Sequence, residues 1–303
     1  MPNNDHYEEN VSNFMVIPYF TGDRGRDGFE RPLTQPSNPP VVPYLCPAIT
    51  VMTGGIPGPA VFMPGEDLEV AVTVANYGGG TMNAAANVAV FWSDPTTGFT
   101  KTTLLGQAPV IVPTKGGIET SPVIKGKIPV SAPKHICLLA RVTAPGDYIT
   151  KTTIEPANDR HWAQLNLNAI TLAADQTFQF TFWAGNPFNK TEVFELIARP
   201  VNERTVHILG KQLGIQPTIV DNLEIRLASI QKDYLRDGGE KSGERLTLEL
   251  KPNSRQAIHL LGKISGRMEK GSFTLVEILQ NSRGYNEATM GSIGIIVKPE
   301  NTC

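Results

Sequence analysis

Cysteine is scarce in this chain of 303 residues, which contains three: Cys46, Cys137 and Cys303. Such an odd, low count does not fit the disulfide framework of a small secreted domain. Cys46 and Cys137 could pair in an oxidising compartment, but we favour two buried thiols that act as small apolar side chains; the sequence leaves the pairing open. A chain of this length can instead bury two hydrophobic cores, one in each of two domains.

A surplus of charge of either sign is also absent. The chain carries 27 basic and 29 acidic residues, for a formal net charge of −2. Nucleic acid and anionic membrane surfaces attract proteins with a strong basic patch, and this balance provides none. The sequence therefore predicts no nucleic-acid partner.

Long apolar runs are missing as well. No run approaches the roughly 20 residues that a membrane-spanning helix needs. The opening MPNNDHYEENVSNF has neither the basic region nor the apolar region of a signal peptide. We therefore expect no membrane insertion, and a protein that is cytoplasmic or is exported by a leaderless route.

Motifs that carry catalysis are absent from the sequence. It has no HExxH, no GxSxG, no Walker loop and no GxGxxG, and its five histidines show no zinc-hydrolase spacing. Cys137 lies in the apolar run ICLLA, where burial makes a thiol a poor nucleophile. The segment DRGRDG (23–28) lacks the intermediate acidic residue of a calcium loop, and Thr34 stands where the bidentate Glu should be. The sequence predicts no enzyme, no metal and no cofactor.

Short alternating segments separated by turns dominate the rest of the chain. In GEDLEVAVTVAN (65–76), apolar Leu68, Val70, Val72 and Val74 share one face, which is the period of a half-buried strand. Similar segments follow up to residue 142 and begin again after residue 161, at 162–170, 177–183, 191–201, 245–252, 256–264, 273–280 and 291–299. This pattern predicts an all-β protein with two sandwich domains.

The pattern of the first 47 residues does not predict a folded domain. Six prolines fall between Pro32 and Pro47, which excludes a helix and regular strand pairing. The predicted organisation is an extended Pro-rich N-terminal arm at 1–47, an immunoglobulin-like sandwich at 48–168 and a second sandwich at 169–303.

One segment of the arm, VSNFMVIPYF (11–20), looks capable of forming a strand. Open sandwiches expose edge strands that can accept a strand from another chain. We therefore expect this segment to dock on a neighbouring subunit, through Val11, Phe14, Val16, Ile17, Tyr19 and Phe20.

Two segments need a choice between alternatives. PTIVDNLEIRLASIQKDYL (217–235) has apolar residues at helical spacing but also alternates, and we prefer a strand at 222–230. NDRHWAQLNL (158–167) could be the rim of a binding site, or a polar turn that leads into a strand. We favour the turn, with Arg160 fixing it, and expect Trp162 to share the polar face of the strand.

PGEDLEVAVTVANYGGGTMNAAANVAVFWSDPTTGF resembles the bacterial immunoglobulin-like modules of the cell-adhesion-related, CARDB-like type. Those modules share an order of Pro-Gly, alternating strand, Asn-x-Gly, small residues and alternating strand. APKHICLLARVTAPGD (132–147) resembles the strand before their last one, and the second half resembles, more loosely, an immunoglobulin or fibronectin-III-like domain. The resemblance implies two tandem sandwiches, a bacterial origin and a role in adhesion.

Two functions follow from these features. The first is a non-catalytic structural or assembly protein that associates with itself or with a partner protein through its arm and its sandwich edges. The alternative is an adhesion module that binds a glycan or a cell surface. An adhesion module needs an exposed aromatic side chain beside polar groups, and the candidates are Trp183, Tyr234 and Tyr285.

Overall fold

The structure is a computed structural model that describes residues 7–33, 41–53, 56–57, 65–133, 135–213, 216–217, 223–229, 241–266, 268–285 and 288–299. It is 54% strand and 5% helix, which confirms the prediction of an all-β sandwich protein. In the described ranges, no helix has the length and apolar character that crossing a membrane requires.

The chain divides into two compact units. Unit 1 comprises Met1–Ser93 and Lys101–Leu165, and unit 2 comprises Asp94–Thr100 and Asn166–Cys303. The boundary at 168/169 that the sequence suggests stays a prediction. The assignment of the loop Asp94–Thr100 to unit 2 was not foreseen.

In the residues that the structure describes, unit 1 contains ten strands. They are β1 (Met15–Val16), β2 (Ile49–Thr53), β3 (Ile56–Pro57), β4 (Asp67–Asn76), β5 (Ala84–Ser93), β6 (Thr103–Val112), β7 (Gly117–Thr120), β8 (Ile124–Lys127), β9 (Cys137–Thr143) and β10 (Trp162–Leu165). One sheet has the order β1-β4-β2-β3, with β7 and β8 also paired to β4, and the other has the order β10-β9-β5-β6.

The core of unit 1 follows from the alternation of its strands. On β4, Leu68, Val70, Val72 and Val74 are all buried in one hydrophobic cluster, as their spacing predicts. Burial of a large aliphatic side chain contributes about 1.5–3 kcal/mol. Cys46 and Cys137 are both buried thiols, and burial raises the pKa of the Cys46 thiol to about 12.

The described residues of the N-terminal segment lie in unit 1, and the extended Pro-rich arm that the sequence predicts at 1–47 is not confirmed. Met15 and Val16 pair with Asn76 and Ala75 of β4 in the same chain. The segment also lies close to Gly79, because a Cβ at that position would be 2.1 Å from the carbonyl oxygen of Glu9. The prolines prevent regular strand pairing, but they do not prevent neighbouring apolar side chains from entering the core. The sequence pattern alone does not tell whether those side chains do so.

Within the described ranges, unit 2 contains ten strands and one α-helix. They are β11 (Leu167–Thr171), β12 (Thr177–Gly185), β13 (Glu192–Pro200), α1 (Glu203–Leu213), β14 (Gln216–Pro217), β15 (Leu223–Ser229), β16 (Lys241–Gly243), β17 (Arg245–Leu250), β18 (Arg255–Ile264), β19 (Ser272–Ser282) and β20 (Ala288–Lys298). The sheets have the orders β11-β20-β19-β13-β17 and β12-β18-β15-β16, and β14 pairs with β19.

The sheets of unit 2 enclose a second core, to which β12 contributes Phe178, Phe180 and Phe182. Strand β15 confirms the preference for a strand in the ambiguous segment, whose residues 218–222 and 230–235 lie outside the described residues. Helix α1 was not predicted. Its local signal is the side chain of Asn202, whose Oδ1 accepts a hydrogen bond from the Thr205 amide at 2.9 Å and caps the helix.

Candidate functional site

A cleft of about 490 Å³ opens in unit 1, within the size range of small-ligand pockets. The N-terminal segment and the loop after β9 form its walls, and we call it the unit 1 cleft. The lining residues that matter below are Phe14, Asp27, Phe29, Asp147, Tyr148 and Arg160.

Arg160 is the central charged group of the cleft. Its guanidinium carbon lies 3.8 Å from the centroid of the Phe14 ring, and its Nη2 donates to Oδ1 of Asp147. The other carboxylate oxygen of Asp147 accepts a hydrogen bond from the Met15 amide at 2.5 Å. The ion pair is therefore held in place by the main chain of β1.

The expectation that Arg160 fixes the turn at 158–160 is corrected. The amides of Asn158 and Asp159 hold that turn by donating to the carbonyl oxygen of Glu155, each at 2.9 Å. This leaves the Arg160 side chain to reach the cleft. Trp162 is 5% exposed, and its ring centroid lies 5.7 Å from that of Phe91 within unit 1.

His161 connects the cleft to the interior of unit 1. Its side chain is buried, with Nδ1 2.8 Å from Oδ1 of Asp159 and Nε2 3.3 Å from Oδ1 of Asp147. Asp147 therefore lies between the guanidinium of Arg160 and the imidazole of His161. A protonated imidazole between two carboxylates donates a hydrogen bond to each of them and so holds both in place.

Burial lowers the pKa of His161, but the contacts with Asp147 and then Asp159 raise it by more, so that the pKa ends above its ordinary value of 6.5. Burial raises the pKa of Asp159, but its hydrogen bonds with His161 hold that pKa below the ordinary 3.8. The stabilisation from charged His161 is therefore complete below pH 6.5 and is lost as the pH rises through the folded-state pKa. Asp159 stays ionised throughout that window.

We expect His161→Gln to lower the free energy of unfolding of unit 1 by about 1.5–3 kcal/mol at pH 5.5, the range for hydrogen bonds to charged groups. The loss should shrink as the pH rises toward 9.5, because wild-type His161 then becomes neutral too. Urea unfolding of both proteins across this pH series measures the difference.

His207→Gln is the matched control, since His207 is half exposed and its partner Glu203 lies on the same helix. This substitution should change stability by about 0.5 kcal/mol or less at every pH. A cost of His161→Gln that stays constant between pH 5.5 and 9.5 would show that its charge does not stabilise unit 1.

Two exposed aromatic residues line the same cleft as the ion pair. Tyr148 is 76% exposed and Phe29 is 60% exposed. The guanidinium of Arg26 lies 4.8 Å from the centroid of the Phe29 ring and is paired with Glu30 at 2.7 Å. The unit 1 cleft thus combines open aromatic surface with charged groups that are already paired.

The predicted docking residues lie in their own unit. Phe14, Val16, Ile17 and Tyr19 are buried, whereas Val11 and Phe20 are half-buried. Val11 and Phe14 also line the unit 1 cleft. In this arrangement the segment is part of a core, so its docking on a neighbour stays a prediction.

The three aromatic residues predicted to contact a ligand are Trp183, Tyr234 and Tyr285. Trp183 is half-buried in unit 2, with the Arg255 guanidinium 4.1 Å from its ring centroid, so one face of the ring is already covered. Tyr234 lies outside the described residues, as does the side chain of Tyr285.

Sequence reasoning missed several residues that line the cleft, among them Phe29, Asp147 and Tyr148. Asp147 and Tyr148 follow the turn APG, which the sequence indicates, but a turn signal does not tell which distant residues the turn meets. Phe29 is an isolated aromatic residue outside any alternating segment. For metals, the described ranges contain no group of three or more His, Cys, Asp or Glu side chains arranged around one ion.

No protein-family model matches the chain, and no curated protein matches it. The CARDB-like resemblance therefore stays a prediction.

Comparison with solved structures returns β-rich proteins at low similarity. A Bacteroides ovatus ATCC 8483 protein provisionally described as carbohydrate binding has a TM-score of 0.30 at 8% identity; the match covers 44% of this chain and 35% of that one. Collagen adhesin from S. aureus has a TM-score of 0.25 at 12% identity, and the match covers 82% of this chain and 91% of that one. The CupB6 tip adhesin from Pseudomonas aeruginosa has a TM-score of 0.28 at 8% identity, and the match covers 84% of this chain and 98% of that one. At such TM-scores the likeness supports no conclusion about function.

Proposed function

We propose that this protein is a non-catalytic binding protein of the adhesion type, and that its ligand, a glycan or a side chain of a partner protein, enters the unit 1 cleft. The observation that carries the proposal is that two exposed aromatic residues, Phe29 and Tyr148, line the cleft that also contains the Asp147–Arg160 ion pair. Exposed apolar surface beside polar groups is typical of recognition sites. Arg160 and Asp147 are engaged with each other, which suits recognition better than acid–base chemistry.

A ligand screen on the full chain tests this function. Thermal shifts are measured with libraries of defined glycans and defined peptides, and each compound that stabilises the protein is titrated into Tyr148→Ala. We expect affinity to fall about 10-fold or more, since removal of a contacting aromatic ring commonly costs above 1 kcal/mol. Tyr148 is 76% exposed, so its removal should leave the fold intact.

Met82→Ala is the matched control, because Met82 is 80% exposed in unit 1 and does not line the cleft. This variant should bind as the wild type does. Binding that survives Tyr148→Ala unchanged would place the ligand elsewhere and contradict the proposed site.

Self-association is a second candidate, and strand β6 favours it. The strand ends its sheet, and none of its ten residues, TLLGQAPVIV, carries a charge. Leu104 and Ile111 on it are 52% and 58% exposed. Monomeric proteins usually place charges on such edges to prevent pairing with another chain.

Light scattering tests this candidate. If two copies pair through β6, the full chain is a dimer and Ile111→Lys makes it a monomer of about 33 kDa. Val130→Lys, at an 80% exposed position outside the strands, should leave the dimer unchanged. A monomeric wild type would exclude this mode. Deleting residues 1–31 is a poor test, because it removes Met15 and Ile17 from the core.

A further inference from the structure

Arg141 is the single charged residue in the four strands β10, β9, β5 and β6, within the bounds that the structure gives them. Its side chain lies on the outer face of their sheet, because Ala140 and Val142 on either side of it belong to the core of unit 1. No carboxylate of the described residues forms an ion pair with it. The charge of Arg141 therefore has no opposite charge on this face.

The partial burial of Arg141 makes the missing partner significant. The other buried or half-buried arginines of the described ranges each have an acidic partner, in the pairs Arg24–Glu8, Arg26–Glu30, Arg31–Asp23 and Arg160–Asp147. Arg141 is half-buried as well, and its Nε is enclosed without a hydrogen bond. Burying an unpaired cation costs free energy, and an anion that binds beside it would offset this cost.

Two aromatic rings hold the guanidinium of Arg141. Its central carbon lies 5.3 Å from the ring centroid of Phe91 and 5.5 Å from that of Trp162. Such contacts orient the side chain but accept none of its N–H groups. The terminal nitrogens are not enclosed as Nε is, so they can be reached from solvent. A guanidinium that is already oriented loses less conformational entropy when it binds a ligand.

Trp162 supplies a second donor without an acceptor. The residue is 5% exposed, and its Nε1 is enclosed with no hydrogen-bond partner among the described residues. Trp162 pairs directly with Arg141 across β10 and β9. A buried indole N–H normally has an acceptor. Two neighbouring donor groups without acceptors make this part of the face electropositive and favour a ligand that brings negatively charged oxygen atoms.

The face beside Arg141 also exposes apolar surface. Phe91 is half-buried, and Leu104, which pairs with it across β5 and β6, is 52% exposed. Ile111 lies further along the same face of β6 and is 58% exposed. Exposed apolar side chains around one charged group are typical of a recognition surface. The ligand is therefore expected to join an anionic group to an apolar one.

We propose that this face binds a carboxylate that carries an apolar group, with the carboxylate on the Arg141 guanidinium and the apolar group against Phe91 and Leu104. The planar guanidinium matches the two oxygen atoms of a carboxylate. An acidic residue beside a large apolar residue in a partner protein has this chemistry, as has a free aromatic acid. The proposal does not rest on the unit 1 cleft, so either can fail without the other.

Phosphate is the strongest competitor, because guanidinium groups bind it as well. A phosphate group carries about two negative charges at neutral pH. Arg141 is the single cation of the four strands, so it would compensate one of these charges and leave the other beside apolar side chains. A carboxylate has one charge and meets no such cost.

NMR titration of the full chain tests the proposal through the Nε–H signal of Arg141 and the indole N–H signal of Trp162. One pair of probes is phenylacetate and its neutral analogue phenylacetamide. The other is the N-acetylated, C-amidated dipeptide Phe-Glu and its neutral analogue Phe-Gln; inorganic phosphate is the fifth probe. We expect the acid of at least one pair to bind about 10-fold or more tightly than its amide, the usual gain from a charged hydrogen bond.

Three variants locate the binding. Arg141→Met keeps much of the apolar stem and should lower the affinity for the acid by about 10-fold or more. Arg141→Lys keeps the charge without the planar fork and should bind more weakly than the wild type. Arg226→Met is the matched control, since Arg226 is an exposed arginine of unit 2, and it should bind as the wild type does. The urea midpoint of each variant shows that it is folded.

The comparison of acid with amide on the wild type needs no variant, so a folding defect cannot hide the result. If neither acid binds more tightly than its amide, or if phosphate binds and the acids do not, the proposal is wrong. Equal binding of the acid to Arg141→Met would also overturn it. Binding of phenylacetate alone identifies a free acid as the ligand, and binding of Phe-Glu alone identifies a polypeptide; both results support the carboxylate site.

Discussion

Replacing Arg31 with methionine is expected to lower the free energy of unfolding of unit 1 by about 3–5 kcal/mol, the usual cost of removing one partner of a buried ion pair. Arg31 is 1% exposed and Asp23 is fully buried. Their side chains form two hydrogen bonds, at 3.0 and 3.1 Å. Asp23 also accepts the amides of Tyr19 at 2.8 Å and Gly25 at 2.9 Å.

The large loss arises because Arg31→Met leaves the buried Asp23 carboxyl group without its charged partner. Its two remaining amide donors compensate that loss only in part. The measurement is urea unfolding of the full chain, followed by hydrogen exchange and mass spectrometry of peptides from β9 and β10, so that unit 1 is observed separately from unit 2.

The chain offers a matched control in Arg26→Met, which makes the same chemical change in the pair with Glu30. Both side chains of that pair are partly exposed, at 26% and 13%, so the loss should be about 1 kcal/mol or less. Equal losses for the two variants would contradict the role of burial at Arg31.

Gly291→Ala is expected to destabilise unit 2 by about 3 kcal/mol, at the upper end of what overpacking costs. A Cβ at this position would lie 2.1 Å from the carbonyl oxygen of Thr97. The loop of Thr97 cannot shift freely, because the Thr97 hydroxyl lies 2.6 Å from Oε1 of Gln280 and its amide donates to the carbonyl oxygen of Trp183 at 3.0 Å.

The substitution therefore has to displace either β20 or the buried loop Asp94–Thr100. Hydrogen exchange of peptides from β12 and β20 during urea unfolding measures the loss. Thr247→Ala at an exposed position of β17 controls for the introduction of alanine into a strand, and should cost about 0.5 kcal/mol. If Gly291→Ala costs no more than this control, the close approach of the loop is not needed for stability.

The alternating segments predicted most of the sheet framework. Leu68 to Val74 on β4 and Phe178 to Phe182 on β12 are buried as their period requires. The choice of a strand over a helix at β15 was right for the same reason. Periodicity is a local property, so it can be read without knowledge of the partner strands.

The candidate site could not be predicted in the same way. Phe14, Phe29, Tyr148 and Arg160 come from distant parts of the chain and meet only in the folded unit. Trp183 was selected by its phase in a predicted strand, and phase does not tell what covers a ring. For Trp183 the covering group is Arg255, which is 72 residues away in the sequence.

The sequence by itself determined that this protein is all-β, that its turns are rich in glycine and proline, and which faces of its main strands are buried. These properties depend on side-chain volume and polarity at neighbouring positions. Only the tertiary structure decided that the N-terminal segment enters the core of unit 1, that Asp94–Thr100 belongs to unit 2, and that Arg160 faces a cleft. Those outcomes depend on contacts between residues far apart in the chain, which no local pattern specifies.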